Sequence, residues 1–156
     1  MNNRNNSWFA KSQPQPTARL RLFCFPHAGG SAMVFRNWQN FFSPWVEVCA
    51  VQYPGRGTRM TEQPFTSMES LVAAIEEAIS GFLDRPFAFF GHSMGATISF
   101  ELAHRLSTLR NMQPSHLFVA GRVPPQVPER DPIIDHPQFA RTGVYRGTAA
   151  VRRHSS

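Results

Sequence analysis

Cysteine, charge and long apolar runs are all scarce in this sequence of 156 residues. Its two cysteines, Cys24 and Cys49, lie inside apolar runs, which argues against a disulfide scaffold and favours a reducing cytoplasm. No run approaches the roughly eighteen apolar residues of a membrane-spanning helix, and residues 1–16 lack the apolar core of a secretory signal. Charged residues make up 17% and hydrophobic residues 42%, so the composition is that of a folded domain.

The formal net charge of +6 is concentrated near the C-terminal end. All ten acidic residues and twelve of the sixteen basic residues lie within residues 1–140, so this part is nearly balanced. Residues 141–156 add four arginines and no acid, and such a tail could touch phosphates, although an unstructured end is the simpler interpretation. Because no pattern of basic and aromatic residues accompanies it, the sequence does not favour a nucleic-acid-binding module.

Short apolar runs typical of β-strands alternate with segments of helical periodicity. Strands are predicted at 20–25, 46–53, 87–90 and 117–120, and helices at 33–42, 66–81 and 96–109. The second helix is expected to begin with a capping box formed by Thr66 and Glu69. The alternation predicts an α/β fold, in which a parallel sheet carries helices on both faces.

Composition divides the chain into four segments. Residues 1–17 form a polar leader that is expected to be flexible, and residues 18–123 hold all the predicted strands and helices. Residues 124–140 contain five prolines, which exclude a helix or a central strand there. Residues 141–156 show no periodicity, so the sequence predicts a disordered or frame-shifted tail.

The run Gly91-His92-Ser93-Met94-Gly95 matches the pattern G-x-S-x-G between a predicted buried strand and a predicted helix. Glycines two residues before and after Ser93 permit a strained turn that lifts its hydroxyl above the sheet. The N-terminus of the following helix favours the negative charge that develops in acyl transfer. The alternative, that Ser93 merely caps the helix, leaves both glycines unexplained, so we predict Ser93 to be a nucleophile.

A second glycine-rich loop, Phe25-Pro26-His27-Ala28-Gly29-Gly30, follows the first predicted strand. Hydrolases of this architecture bind the oxyanion with one backbone amide from such a loop and one from the residue after the nucleophile. The predicted donors are therefore the N–H groups of Ala28 and Met94. The residues expected to shape the loop and the elbow are His27, Gly29, Gly30, Gly91, His92 and Gly95. A glycine-rich turn without function is the alternative, and a phosphate loop is disfavoured because no Gly-Lys-Ser/Thr follows.

Together with Tyr53-Pro54-Gly55-Arg56 and Leu117-Phe118-Val119-Ala120-Gly121-Arg122, these motifs resemble the type II thioesterases of nonribosomal-peptide and polyketide biosynthesis. The resemblance covers about residues 18–137. It implies an α/β-hydrolase fold and an enzyme that hydrolyses acyl thioesters from the phosphopantetheine arm of carrier proteins, removing misprimed or stalled acyl groups. It also implies carrier-protein domains of the synthases as partners, and no metal or other cofactor.

A serine nucleophile needs a base that a carboxylate orients, and in α/β-hydrolases the order is Ser, then Asp or Glu, then His. The resemblance places both partners after later strands than this sequence contains, so we expect the triad Asp and His to be missing from a truncated domain. His104 lies too far along the elbow's helix, His116 precedes the wrong end of a strand, and His154 falls in the predicted tail. His136, beside Asp135, could approach the site. A non-catalytic remnant that binds carrier protein and a general serine esterase remain as alternatives.

Overall fold

The computed structural model describes residues 6–10 and 15–121, together with the backbone of residues 143–146. Within these described residues, five strands form one sheet in the order β2-β1-β3-β4-β5, where the first four are parallel and the last is antiparallel. The strands are β1 (Leu20–Phe25), β2 (Val46–Ala50), β3 (Phe87–His92), β4 (His116–Ala120) and β5 (Gly143–Arg146), and the α-helices are α1 (Met68–Ile79) and α2 (Met94–Arg110). The α/β fold predicted from the sequence is confirmed.

The alternation of side chains along β1 builds a core on each face of the sheet. Phe23 points towards the two helices, where it joins a buried cluster with Ile75 of α1 and Leu102 of α2. Cys24 points to the opposite face and packs with Phe35 from the connection between β1 and β2. The chain leaves β1 in one direction and returns past it to β3, so right-handed crossovers place these connections on opposite faces.

The helix predicted at 33–42 is wrong in type, because this connection consists of two short 3-10 helices, Ala32–Phe35 and Trp38–Phe41. Asn37 separates them with φ −101° and ψ 0°, and asparagine and aromatic residues are weak helix formers. Of the apolar residues that suggested a helical face, Phe41 is 82% exposed. The segment nevertheless covers the sheet as a crossover must.

The beginning of α1 also differs from the prediction by one residue. Ser67, and not Thr66, is the N-cap, and its Oγ accepts a hydrogen bond from the Ser70 amide at 3.1 Å. Glu69 lies in the first turn, where its charge complements the helix dipole.

Residues 6–10, which fall within the leader predicted to be flexible, pack on the outer edge of the sheet. Phe9 forms an antiparallel bridge with Val51, and the Ala10 amide donates to the Ala50 carbonyl at 3.0 Å. Trp8 and Phe9 both contact the helix-side core. The physical reason is that β2 is an edge strand, so its outward backbone groups can pair with a short aromatic segment.

The four residues of β5 fall within the segment 141–156, for which the sequence predicts a disordered or frame-shifted tail. They pair with β4 in antiparallel register, with Val144 opposite Phe118. The edge of β4 offers unpaired backbone groups, and valine and tyrosine favour extended structure, so this short run can add a strand. The rest of that tail and the proline-rich segment 124–140 lie outside the described residues.

Candidate active site

The site lies at the point of the sheet where the strand order reverses. The chain passes from β1 outwards to β2 on one side, whereas β3 pairs with β1 on the other side. The last residue of β1, Phe25, pairs with Gly91 of β3, so the loops that follow these two strands begin side by side. Open α/β sheets bind their ligands in the crevice at such a switch point.

Ser93 is the single residue between β3 and α2. It has φ 52° and ψ −114°, a backbone conformation that L-residues rarely adopt and that costs about 1–3 kcal/mol. Its amide donates to the Ala120 carbonyl at 2.8 Å, which ties the turn to β4. Its side chain makes no capping hydrogen bond to the helix, contrary to the alternative in which the serine is only a cap. The turn therefore has the form of a nucleophile elbow.

The glycines on either side of Ser93 are required because backbone atoms occupy the space that a side chain would need. A Cβ on Gly91 would collide with the Gly95 carbonyl and lie 2.6 Å from Ala96 Cα. A Cβ on Gly95 would collide with the Phe25 carbonyl and lie 2.8 Å from the Pro26 oxygen. The second collision shows that the start of α2 is pressed against the loop that follows β1.

The loop after β1 contains a tight turn in which the Gly30 amide donates to the His27 carbonyl at 3.0 Å. Gly29 occupies the corner with φ +76°, which a residue with a Cβ rarely adopts. Ala28 is exposed at the tip of this turn. Among the described residues, neither the Ala28 amide nor the Met94 amide donates a hydrogen bond to the protein, so both remain available to an oxyanion.

The side chains of Gln52 and Tyr53, which follow β2, hold this loop in place. The buried Tyr53 hydroxyl donates to the Pro26 carbonyl at 3.2 Å, and Gln52 Oε1 accepts from the Ala32 amide at 3.2 Å. Burial raises the pKa of Tyr53, so its hydroxyl stays protonated and can donate. Tyr53 belongs to a sequence motif from which no role was predicted for it, and no role was predicted for Gln52. A glutamine in an apolar strand directly before a turn was the available signal.

The rings of His27 and His92 each lie against a glycine near the two turns. A Cβ on Gly30 would lie 2.8 Å from His27 Cε1, and a Cβ on Gly121 would lie 2.8 Å from His92 Nε2, so each ring covers a glycine. The two rings meet edge to face, with centroids 5.4 Å apart. Within the described part of the chain, no Asp or Glu forms an ion pair with either ring.

The other histidines do not meet Ser93 where the structure describes them. His104 lies ten residues beyond the start of α2, about 15 Å along its axis. His116 is the first residue of β4, whereas Ser93 bonds to Ala120 at the other end of this strand. The His116 ring lies 3.3 Å from the Ser115 hydroxyl. Asp135, His136 and His154 are outside the described residues, so the predicted absence of a triad Asp and His stays a prediction. The described residues contain no group of His, Cys, Asp and Glu suited to a metal ion.

A strained serine between a parallel strand and a helix, beside a glycine-rich loop from the adjacent strand, defines a site of the α/β-hydrolase type. Residues 20–136 match the family described as thioesterase domain. The chain belongs to this thioesterase family, which confirms the resemblance found in the sequence.

The chain is similar to several biosynthetic proteins. It is 48% identical over 123 residues to the gramicidin S biosynthesis protein GrsT of Aneurinibacillus migulanus, covering 79% of this chain and 48% of that protein. The RedJ thioesterase from the prodiginine pathway of Streptomyces coelicolor has a TM-score of 0.64 and 42% identity, over 70% of this chain and 42% of RedJ. BorB, a type II thioesterase from the borrelidin biosynthetic cluster, has a TM-score of 0.66 and 39% identity, over 72% and 45% of the two chains. The match covers about half the length of GrsT and about half that of the linear gramicidin dehydrogenase LgrE of Brevibacillus parabrevis.

Proposed function

We propose that this chain acts in nonribosomal-peptide or polyketide biosynthesis, where Ser93 attacks acyl thioesters held on the phosphopantetheine arm of carrier proteins. The observation that carries the proposal is the conformation of Ser93, which is held in a strained turn with a hydroxyl that caps no helix. The Ala28 and Met94 amides, both without a protein acceptor in the described residues, are the proposed oxyanion donors. The named pathways of GrsT, RedJ and BorB support the carrier-bound substrate class.

The proposed reaction passes through an acyl-enzyme. Ser93 Oγ loses its proton to a base and attacks the thioester carbonyl, and the two amides stabilise the oxyanion. The tetrahedral intermediate collapses, its C–S bond breaks, and the phosphopantetheine sulfur takes a proton and leaves as the thiol. Water then hydrolyses the serine ester, which releases the carboxylic acid and restores the Ser93 hydroxyl. Because the described residues furnish no carboxylate-oriented base at Ser93, turnover by this chain is itself part of the proposal.

The proposal also includes the cofactor requirement, the partner and the cellular compartment. Serine-based acyl transfer moves an acyl group and protons, so the proposed reaction calls for no metal or redox cofactor. The proposed partner is an acyl or peptidyl carrier domain of a synthase, since the phosphopantetheine arm is covalently attached to it. We propose the cytoplasm as the compartment because Cys24 and Cys49 are buried thiols. Neither described helix combines the length and hydrophobicity that a membrane crossing requires.

The proposal is tested by thiol release from an acyl-pantetheine thioester and from the same acyl group on a purified carrier protein. We expect the unaltered chain to release thiol and the Ser93→Ala variant to fall to the uncatalysed background. Ser107→Ala is the matched control, because Ser107 lies on the same helix about 20 Å from its start. Equal rates in the unaltered chain and in Ser93→Ala would remove the enzymatic proposal.

Two further results would select between the alternatives. Carrier-protein binding without Ser93-dependent thiol release would favour a non-catalytic binding protein. The observation in favour of this alternative is that the described residues place no carboxylate-oriented base at Ser93. Faster Ser93-dependent cleavage of p-nitrophenyl esters than of the matching thioesters would favour a general esterase.

A further inference from the structure

Two consecutive residues after β2 reach opposite ends of the loop that carries Ala28. Gln52 and Tyr53 are only 2% and 4% exposed. The Tyr53 hydroxyl donates to the carbonyl of Pro26, where the loop begins, and Gln52 Oε1 accepts from the amide of Ala32, where the loop ends. The turn with the exposed Ala28 lies between these two attachment points.

The first attachment point also contacts the elbow. The Pro26 carbonyl is bonded to Tyr53 on one side, and on the other it lies so close to Gly95 that a Cβ there would be 2.8 Å away. Movement of this peptide would therefore shift the turn that bears Ala28 relative to the start of α2, where Met94 lies. The distance between the two proposed oxyanion donors depends on the position of Pro26.

The residue at the second attachment point is itself immobilised. Gln52 Nε2 donates to the Arg56 carbonyl at 2.9 Å, and the Gln52 amide donates to the Trp8 carbonyl at 2.7 Å. The Gln52 carbonyl accepts from Arg59 Nη1 at 3.1 Å. The Arg59 guanidinium also forms a two-point ion pair with Glu62 and lies 4.4 Å from the centre of the Trp8 ring. Gln52 is thus fixed through both its side chain and its backbone.

We propose that Gln52 and Tyr53 are positioning residues that hold the His27–Gly30 turn so that the Ala28 amide points at the oxyanion. The effect on catalysis rests on the proposed function, whereas the attachment of the loop by these two side chains does not. Loss of one oxyanion donor costs about a hundredfold or more in kcat, and a displaced donor should cost a fraction of that.

The kinetic test compares Tyr53→Phe, which removes only the hydroxyl, and Gln52→Ala with the unaltered full-length chain. We expect kcat for thioester hydrolysis to fall about tenfold in each, while KM stays within about twofold, because the donors act on the transition state. Gln39→Ala is the matched control. Gln39 also bridges two backbone groups, the Val46 carbonyl and the Val48 amide, both at 2.9 Å, but it lies away from the site.

A second measurement does not require the chain to be catalytically active. Hydrogen–deuterium exchange of the Gly30 amide reports the turn, because this amide donates to the His27 carbonyl and is not the hydrogen-bond partner of the Gln52 or Tyr53 side chain. We expect exchange at Gly30 to accelerate at least about tenfold in Tyr53→Phe and Gln52→Ala and to stay unchanged in Gln39→Ala. Tyr53→Phe, the smaller change, keeps the test open if Gln52→Ala does not fold.

The outcomes separate the two proposals. Unchanged exchange at Gly30 in both variants overturns the positioning role, as does faster exchange with unchanged kcat in a chain that turns over. Faster exchange in a chain that shows no Ser93-dependent turnover supports the attachment of the loop and contradicts the proposed function. Faster exchange with a selective loss of kcat supports both.

Discussion

Replacing Gly95 with alanine separates local helix propensity from tertiary packing, because the two predict opposite signs. Gly95 lies in the first turn of α2, and alanine is favoured over glycine in a helix interior by about 1 kcal/mol. The added Cβ, however, would collide with the Phe25 carbonyl and lie 2.6 Å from the Phe25 carbonyl carbon and 2.8 Å from the Pro26 oxygen.

The size of the effect follows from what the Cβ meets. Ordinary contacts of a Cβ begin at 3.4 Å, and the nearest group is the Phe25 carbonyl oxygen, so the backbone of Phe25 and the start of α2 must separate by more than about 1 Å. Backbone groups cannot rotate away as a side chain can, and such overpacking typically costs about 1–3 kcal/mol. We therefore expect Gly95→Ala to be less stable by about that amount and to lose most thioester turnover, since a displacement of about 1 Å at a reacting centre can cost a hundredfold.

Gly81→Ala is the matched control because no atom lies within 4 Å of its Cβ position. Alanine there should leave stability unchanged or raise it by up to about 1 kcal/mol by restricting the unfolded chain. Urea unfolding of both variants gives the free energies, and the melting temperature should fall by about 2–4 °C for each kcal/mol lost. If Gly95→Ala were as stable as Gly81→Ala, the steric reasoning about the elbow would be wrong.

Three further changes test other parts of the structure. Glu76 accepts hydrogen bonds from Arg110 and a second arginine of α2, which lower its pKa below the ordinary 4.5. The stability difference between the unaltered chain and Glu76→Gln should therefore be constant above about pH 5 and shrink as the pH falls through the native pKa. A difference in urea midpoints that does not change with pH would contradict this. Ser67→Ala should lower the free energy of unfolding by about 1 kcal/mol and Thr66→Ala by much less. The reverse order in urea unfolding would indicate that Thr66 is the N-cap. Ser93→Gly should raise the free energy of unfolding by about 1 kcal/mol through release of strain while turnover disappears, and a destabilised variant would argue against a strained elbow.

Elements specified by their own local sequence were predicted well. The run 20–25 forms β1 with the predicted bounds, because its apolar side chains suit a strand buried on both faces and Pro26 follows it. The elbow at Ser93 was also predictable, since two glycines around a serine between a strand and a helix are needed only when backbone approaches closely. These features require information from a few neighbouring residues.

The features that were not predicted depend on partners distant in the sequence. Phe9 pairs with Val51 and β5 pairs with β4 because a sheet edge accepts an extended segment from elsewhere in the chain, and no local period announces such a pairing. The bonds of Gln52 and Tyr53 to the loop after β1 are single side-chain contacts between segments that follow neighbouring strands. Sequence patterns locate a strand or a turn, but they do not show which carbonyl a buried side chain reaches.

The candidate site has two requirements, donors that stabilise the oxyanion and a base that activates the nucleophile. Ala28 lies in the loop after β1 and Met94 is the first residue of α2, and the pairing of Phe25 with Gly91 brings these two places in the chain together. The close approach of Gly95 to the Phe25 and Pro26 carbonyls then fixes their separation by backbone contact. The proposed oxyanion donors are therefore preorganised by residues that lie wholly within the described chain, and preorganised donors need no rearrangement when charge develops. The base that would activate Ser93 is a separate requirement, so stabilisation of the oxyanion and activation of the nucleophile can be tested independently in this protein.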